Sequence, residues 1–336
     1  MKRILHFALI AALTIGLLAY FVWNSNPRVV WNIIKSANVL WLIAALFVNW
    51  FAVWFRTLRW RTILDPDRPP PFYDTFFATT IGYFVSTLVR IPADVVRPVL
   101  ISRRTGVRKS AAFGTVLTER VLDLFSLLVL FVSFVIVHWN DWSDEAAFLV
   151  IKSGGIAAMV MLGGLTVFVI GLYFFSGTVR RLHVFFGTFL PKRFNASWLH
   201  FFDRFVETLS IAKRPLALLN VLVCTAGIWI CLCAQFWLVT TGMHRPLPFD
   251  WTFLATAVTT LGLIIPTPGG VGGFHKTCQF VLTTFYHFDV NASVAAAIVI
   301  HLVGTIPVVL TGLVLFVREG MHWRDVREME KAGDEA

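Results

Sequence analysis

The chain has 336 residues, 57% of them hydrophobic and only 14% charged, and its mean hydropathy is +0.74. A soluble protein carries roughly 25% charged residues to keep its surface wet, so composition points to an integral membrane protein and excludes disordered, collagenous and disulfide-rich secreted chains. The formal net charge of +10 is read as basic loops facing an anionic leaflet rather than as a nucleic-acid surface, and no nucleic-acid partner is expected.

Met1-Lys2-Arg3 and the apolar run behind it outline a signal peptide. The run continues to Trp23 without an A-x-A site, which predicts a retained first spanning helix over 3–23. Five further stretches are long enough to cross a hydrocarbon layer of about 30 Å: 38–58, 111–138, 153–175, 215–242 and 291–317. Two other apolar regions, 72–102 and 250–288, are interrupted near their middles. Arg90-Ile-Pro-Ala-Asp94 breaks the first, and Pro266-Thr-Pro-Gly-Gly-Val-Gly-Gly273 breaks the second. Proline removes a backbone donor and glycine loosens a helix, so each region divides into two short arms.

The distribution of Lys and Arg decides how these regions run. If both enter and return on one side, the cytoplasmic segments carry 21 basic residues and the outer ones 4. If each crosses once, the same charges divide 12 to 13. Only re-entrant hairpins give a bias toward the inside. The expected fold is therefore an all-α polytopic membrane protein, with six spanning helices and two re-entrant broken hairpins.

The two units, 1–138 and 146–318, then have opposite orientations. Phe72, Thr75, Phe76, Ala78 and Thr79 recur as Phe249, Thr252, Phe253, Ala255 and Thr256, all offset by 177, which favours an inverted repeat. Segment 176–214 bears the stripe Trp198, Phe202, Phe205, Leu209 and reads as an interfacial helix or a packed linker. Residues 319–336 read as a disordered cytoplasmic tail.

Three clusters carry the chemistry. In Arg90-Ile-Pro-Ala-Asp94-Val-Val-Arg97, Asp94 and Arg97 share a helical face and form either a structural ion pair or a phosphate site. In Glu119-Arg120-Val-Leu-Asp123, the two carboxylates sit one turn apart, which is repulsive unless a cation joins them or a proton is shared. The glycine-rich turn Gly269-Gly270-Val-Gly272-Gly273 leads into His275 and Lys276. It has His275 where a P-loop has its second glycine, so nucleotide binding is not expected. Its backbone N–H groups suit either an anion or close helix packing. Within the apolar regions, Arg90, Arg97, Arg120 and Lys276 outnumber Asp94, Glu119 and Asp123 by one, a surplus that an anionic head group would satisfy. Asp94, Glu119 and His301 are candidates for proton coupling. The four cysteines (Cys224, Cys231, Cys233, Cys278) contain no C-x-x-C, and no metal site or cofactor is expected.

At these motifs the chain resembles the flippase-like transmembrane domain that forms the membrane part of lysylphosphatidylglycerol synthases and also occurs free-standing in bacteria. The resemblance covers roughly residues 50–318. It rests on Arg56-Thr-Leu-Arg59-Trp60, on Ile91-Pro92-Ala93-Asp94-Val-Val-Arg97 where the family has P-x-x-G-E-x-x-R, on Glu119-Arg120-Val-Leu-Asp123, and on Pro266-Thr-Pro268-Gly269-Gly270-Val-Gly272. Ala93 and Asp94 replace the usual Gly-Glu, His275 stands where Glu is common, and His301 lies near a common Arg. These departures bear on the particular lipid more than on the fold. The aminoacyl-transferase domain is not in this chain.

The resemblance implies lipid translocation or lipid-linked envelope biosynthesis in the bacterial inner membrane; the Arg and Lys of the clusters point to an anionic or polyprenyl-phosphate-linked lipid, and the bias of basic loops puts both termini in the cytoplasm. Transport would be passive or ion-coupled, since no ATP-binding motif is present. The alternatives are a lipid-modifying transferase, with Asp94 or Glu119 as base, and a non-catalytic partner of an envelope-biosynthesis enzyme.

Overall fold

A computed structural model describes residues 2–88, 91–140, 146–174, 211, 213–265, 267–322, 324–326 and 328. The expected interfacial stripe of 176–214 and residue Arg90 lie outside them. Among the described residues the architecture is all-helical. In chain order the helices are α1 (Lys2–Val22), α2 (Pro27–Ser36), α3 (Val39–Leu64), α4 (Phe72–Leu88), α5 (Ala93–Thr105), α6 (Lys109–Val137), α7 (Ala146–Phe174), α8 (Pro215–Gly242), α9 (Trp251–Leu261), α10 (Gly273–Thr284) and α11 (Val290–Arg318). Two short 3-10 turns, Gly262–Ile264 and Pro268–Gly270, separate α9 from α10.

Among the described residues, five helices are long and apolar enough to cross a membrane: α3, α6, α7, α8 and α11. The sixth expected span coincides with α1, whose described apolar portion, Ala12–Val22, is shorter than a crossing. One helix was not foreseen. Asn26 caps α2, accepting from the Arg28 N–H at 3.0 Å, and Pro27 supplies the fixed φ that suits a first helical turn.

α3 and α8 run antiparallel along their length. The Asn38 N–H donates to the Gly242 carbonyl at 2.7 Å at one end, and Asp67 pairs with Arg214 at the other. In between, Asn49 Nδ2 donates to Gln235 Oε1 at 2.6 Å, and Gln235 Nε2 donates to the Ile300 carbonyl at 2.7 Å. Three helices are thus tied by one buried polar chain, whose members satisfy each other in apolar surroundings.

Both broken regions divide into two arms. The open ends of α4 and α5 lie together beside the C-terminus of α11, where Arg104 bonds Asp74 at 2.7 Å and Glu319 at 2.8 Å, and Tyr73 donates to Glu319 at 2.8 Å. The open ends of α9 and α10 lie at the opposite end, where Tyr286 donates its hydroxyl to the Trp251 carbonyl. His138, at the end of α6, meets Asp250 there at 2.8 Å. The tips of the two pairs come together: a Cβ at Gly269 would lie 3.3 Å from the Thr87 carbonyl. Left-handed φ values of 59°, 72° and 93° at Gly269, Gly270 and Gly272 let the second tip turn within so few residues.

Each pair of arms has its own core, one around Trp60, Ile81, Phe84 and Val96 and the other around Leu254, Cys278, Val281 and Ala295. The small residues related by the offset of 177 are buried alike: Thr75 and Thr252 are both 0% exposed, and Ala78 and Ala255 both 0%. The segment read as a disordered tail from 319 starts ordered. Glu319 is held by Arg104 and Tyr73, and Val326 is buried in the first core because that core leaves an apolar edge beside Leu315 and Phe316.

Candidate functional site

α3 continues without a proline or glycine to Leu64, and this carries Arg56 and Arg59 into the bundle rather than into a loop. Arg59 is 2% exposed. Its Nη1 lies 2.7 Å from Asp123 and its Nη2 lies 3.3 Å from Glu119. This is the cation that the two carboxylates one turn apart on α6 required. Their mutual repulsion is relieved by a guanidinium from another helix.

Arg97 does not pair with its helical neighbour Asp94. It is 1% exposed and donates to Glu119 at 2.8 Å, with its guanidinium 4.2 Å from the Trp60 ring centroid. Gly82 makes room for its stem, since a Cβ there would come within 2.4 Å of Arg97 Cγ. Asp94 instead receives a two-pronged contact from Arg120, at 2.6 and 2.9 Å, and Arg120 reaches Asp123 at 3.5 Å. The continuous order is Asp94, Arg120, Asp123, Arg59, Glu119, Arg97. Among the described residues it contains three cations and three anions; the count made from sequence left out Arg59 and included Lys276, which belongs elsewhere, and Arg90, which lies outside the described residues.

Lys276 donates to Gln279 at 2.9 Å and sits 3.8 Å above the Tyr20 ring, away from the network. Nor do the glycines of the second tip act together. Gly270 donates its N–H to the Thr267 carbonyl and Gly272 to Nδ1 of His275, so these two donors are occupied. Gly272 also lies against Leu17 of α1, which is the close-packing use of glycine.

A cavity of about 460 Å³ lies where the two tips meet. Of the residues expected at the site, Arg120, Asp123, Gly269 and His301 line it. Arg97, Glu119, Asp94, Gly270, Gly272, His275 and Lys276 stand behind or beside it. Arg56 also lines the cavity, and sequence reading had placed it only in a family motif. Its Nη1 donates to the Tyr83 hydroxyl at 3.3 Å. Among the described residues no carboxylate lies within ion-pair distance of Arg56, which makes it a cation of the described lining without an ion-pair partner. Asn49, Gln235, Thr256, Thr260 and Thr305 add neutral polar groups to the lining. The signal that would have found Arg56 and Arg59 was the lack of any helix breaker before Pro66.

This arrangement can hold an anion: a guanidinium without an ion-pair partner and a phenol face a cavity whose other described lining charges, Arg120 and Asp123, are paired. No match to the chain is found among curated proteins or among solved structures. The family model of the lysylphosphatidylglycerol synthase TM region matches residues 4–312, nearly the whole chain. The chain belongs to the lysylphosphatidylglycerol synthase transmembrane-region family, a membrane family tied to lipid handling.

Proposed function

We propose that this protein moves an anionic lipid, or a polyprenyl-phosphate-linked lipid, between the leaflets of the bacterial inner membrane, passively or coupled to an ion. The observation that carries this reading is Arg56, a cation without a carboxylate partner among the described residues, facing a cavity between two helix breaks. A guanidinium presents a planar fork of donors that matches phosphate oxygens, and Tyr83 adds a hydroxyl beside it. The balanced network behind is the rigid wall on which Arg56 and Arg120 are mounted, and Arg97 acts there as a positioning residue.

In this reading α4–α5 and α9–α10 are re-entrant hairpins of two inverted repeats. They enter from opposite faces and meet at mid-depth, with both termini cytoplasmic. Irregular backbone such as 262–272 is tolerated at that depth only where it is buried or lines a watery space, and Gly269 lines the cavity. Leu261, Leu263 and Ile264 line the same cavity, yet are 45%, 49% and 75% exposed. They form an apolar rim past which acyl tails would stay in the bilayer while the head group enters.

The test is reconstitution of purified protein in vesicles with a fluorescent anionic lipid, following the loss of outer-leaflet signal to a membrane-impermeant quencher. Wild type should outpace protein-free vesicles. Arg56→Gln should lower the rate by about tenfold or more, the loss of one charge-assisted phosphate contact, and Arg56→Lys should restore part of it. A wild-type rate in Arg56→Gln would remove the assignment. A chemically altered lipid in the mass spectrum would move the protein into the transferase class.

A further inference from the structure

Two imidazoles face each other at the wall of the cavity. His275 lies in the first turn of α10 and His301 near the middle of α11, with ring centroids 4.6 Å apart and ring planes at 42°. Phe21 of α1 packs on His275 at 5.2 Å and Phe274 on His301 at 5.1 Å. His275 is 7% exposed, and its Nδ1 accepts the Gly272 N–H at 3.4 Å, so its own ring proton sits on Nε2. His301 lines the cavity, and its carbonyl accepts the Thr305 hydroxyl. Of the pair, His301 is the one among the residues that line the cavity.

The charged groups that face this pair are few. From α10, Lys276 is turned to Gln279 and Tyr20. α3 contributes Arg56 to the shared cavity, and α6 contributes Arg120 and Asp123, the latter tied to Arg59 and Arg120. The lining from α8, α9 and α11 is otherwise uncharged: Gln235, Thr256, Thr259, Thr260 and Thr305. Asp123 is the single carboxylate among the described lining residues and is already neutralised. A proton on the pair thus has no carboxylate to stabilise it until an anion arrives. Two imidazolium rings in contact repel, so the pair holds one proton and not two.

We propose that His301, backed by His275, is the proton site through which anion movement is coupled to proton movement. The inference rests on the cavity being an anion site, as argued above. A head group bound at Arg56 favours the protonated imidazole, and by linkage the protonated imidazole favours the head group, so the two travel together. A singly charged head group moving with one proton carries no net charge. The movement then follows the pH gradient rather than the membrane potential.

The experiment uses full-length protein in vesicles with labelled phosphatidylglycerol, whose phosphodiester does not titrate near neutrality. Rates are compared with and without a pH gradient of about one unit, which at full coupling is a driving force of about tenfold. We expect wild type to move lipid away from the acidic side about three- to tenfold faster with the gradient, and the ratio to fall to about 1 in His301→Gln. As a second readout, binding of dihexanoyl phosphatidylglycerol in weakly buffered detergent near pH 6 should take up protons in wild type and not in His301→Gln. That uptake and the wild-type ratio stand as tests even if the variant fails to fold. A wild-type ratio of 1 with ordinary flipping, or an unchanged ratio in both His301→Gln and His275→Gln, overturns proton coupling and leaves the anion site intact. Wild-type flipping no faster than protein-free vesicles overturns the anion site, and the coupling with it.

Discussion

The two broken regions begin alike and end differently. Their first arms share buried threonines and alanines at matching positions, and each carries a pair of phenylalanine rings 5.8 Å apart: Phe72 with Phe76, and Phe249 with Phe253. At the tips the resemblance stops. The first tip is backed by a six-member ion network whose innermost members, Arg59, Arg97 and Glu119, are 1–2% exposed. The second is built from glycines, threonines and the two histidines, with no ion pair among its described residues. One wall of the cavity is therefore built from paired charges, and the other from neutral groups that include an imidazole pair. A buried network resists rearrangement because moving one member strands another, whereas a neutral wall can change its protonation without unfolding its surroundings.

Glu119→Gln should break this contrast most severely, because it leaves two guanidiniums, Arg59 and Arg97, buried without their shared carboxylate. A loss of about 3–5 kcal/mol is expected on removing one partner of a buried pair, read as the unfolding midpoint of the detergent-solubilised protein. His275→Gln at the other tip removes no charge and should cost no more than the roughly 0.5–1.5 kcal/mol of a hydrogen bond. Equal losses at the two positions would erase the proposed difference.

Gly82→Ala comes next. The added methyl would meet Arg97 Cγ at 2.4 Å, the near end of a side chain pinned by Glu119 and Trp60, so the network cannot yield cheaply. About 1–3 kcal/mol of overpacking is expected. Gly164→Ala on α7 has nothing within 4 Å and should be neutral or stabilising by up to about 1 kcal/mol, measured in the same unfolding assay.

The smallest effect is a pH dependence at the open ends of α4 and α5. Hydrogen bonds from Arg104 and Tyr73 hold the Glu319 carboxyl below its usual value of 4.5. A lowered folded pKa means that this contribution is complete above the ordinary carboxylate value and is lost as pH falls through the lowered one. Unfolding midpoints measured from neutral pH down to about 3 should show an acid-side loss that Glu319→Gln lacks, within the roughly 0–1 kcal/mol of an exposed pair. An identical acid profile in the variant would show that the clasp contributes nothing.

Much of the fold was legible because apolar run length and helix breakers are local signals. The spans predicted at 215–242 and 291–317 and the breaks near Pro92 and Gly269 lie within a residue or two of their places in the structure. α2 was missed because its ten residues are amphipathic and too short to register as a span. The candidate site was only half legible. Charge spacing on α6 showed that Glu119 and Asp123 needed a cation, but no local pattern says which helix supplies it. Arg59 is 60 residues away from Glu119 in sequence, and the guanidinium that pairs with Asp94 is not the one that shares its helix face.

What the amino-acid sequence by itself determined, then, is that the chain is a multi-pass membrane protein, where its helices and breaks fall, and which titratable residues lie in apolar surroundings. These follow from composition, from the length needed to cross about 30 Å, and from the backbone chemistry of proline and glycine. Only the tertiary structure decided which charges cancel. Pairing among buried ions depends on distances of a few ångströms between helices distant in the chain. That Arg97 is paired while Arg56, among the described residues, has no carboxylate partner therefore had to wait for the packing of α3 against α6, which pairs Arg59 and turns Arg56 toward the cavity.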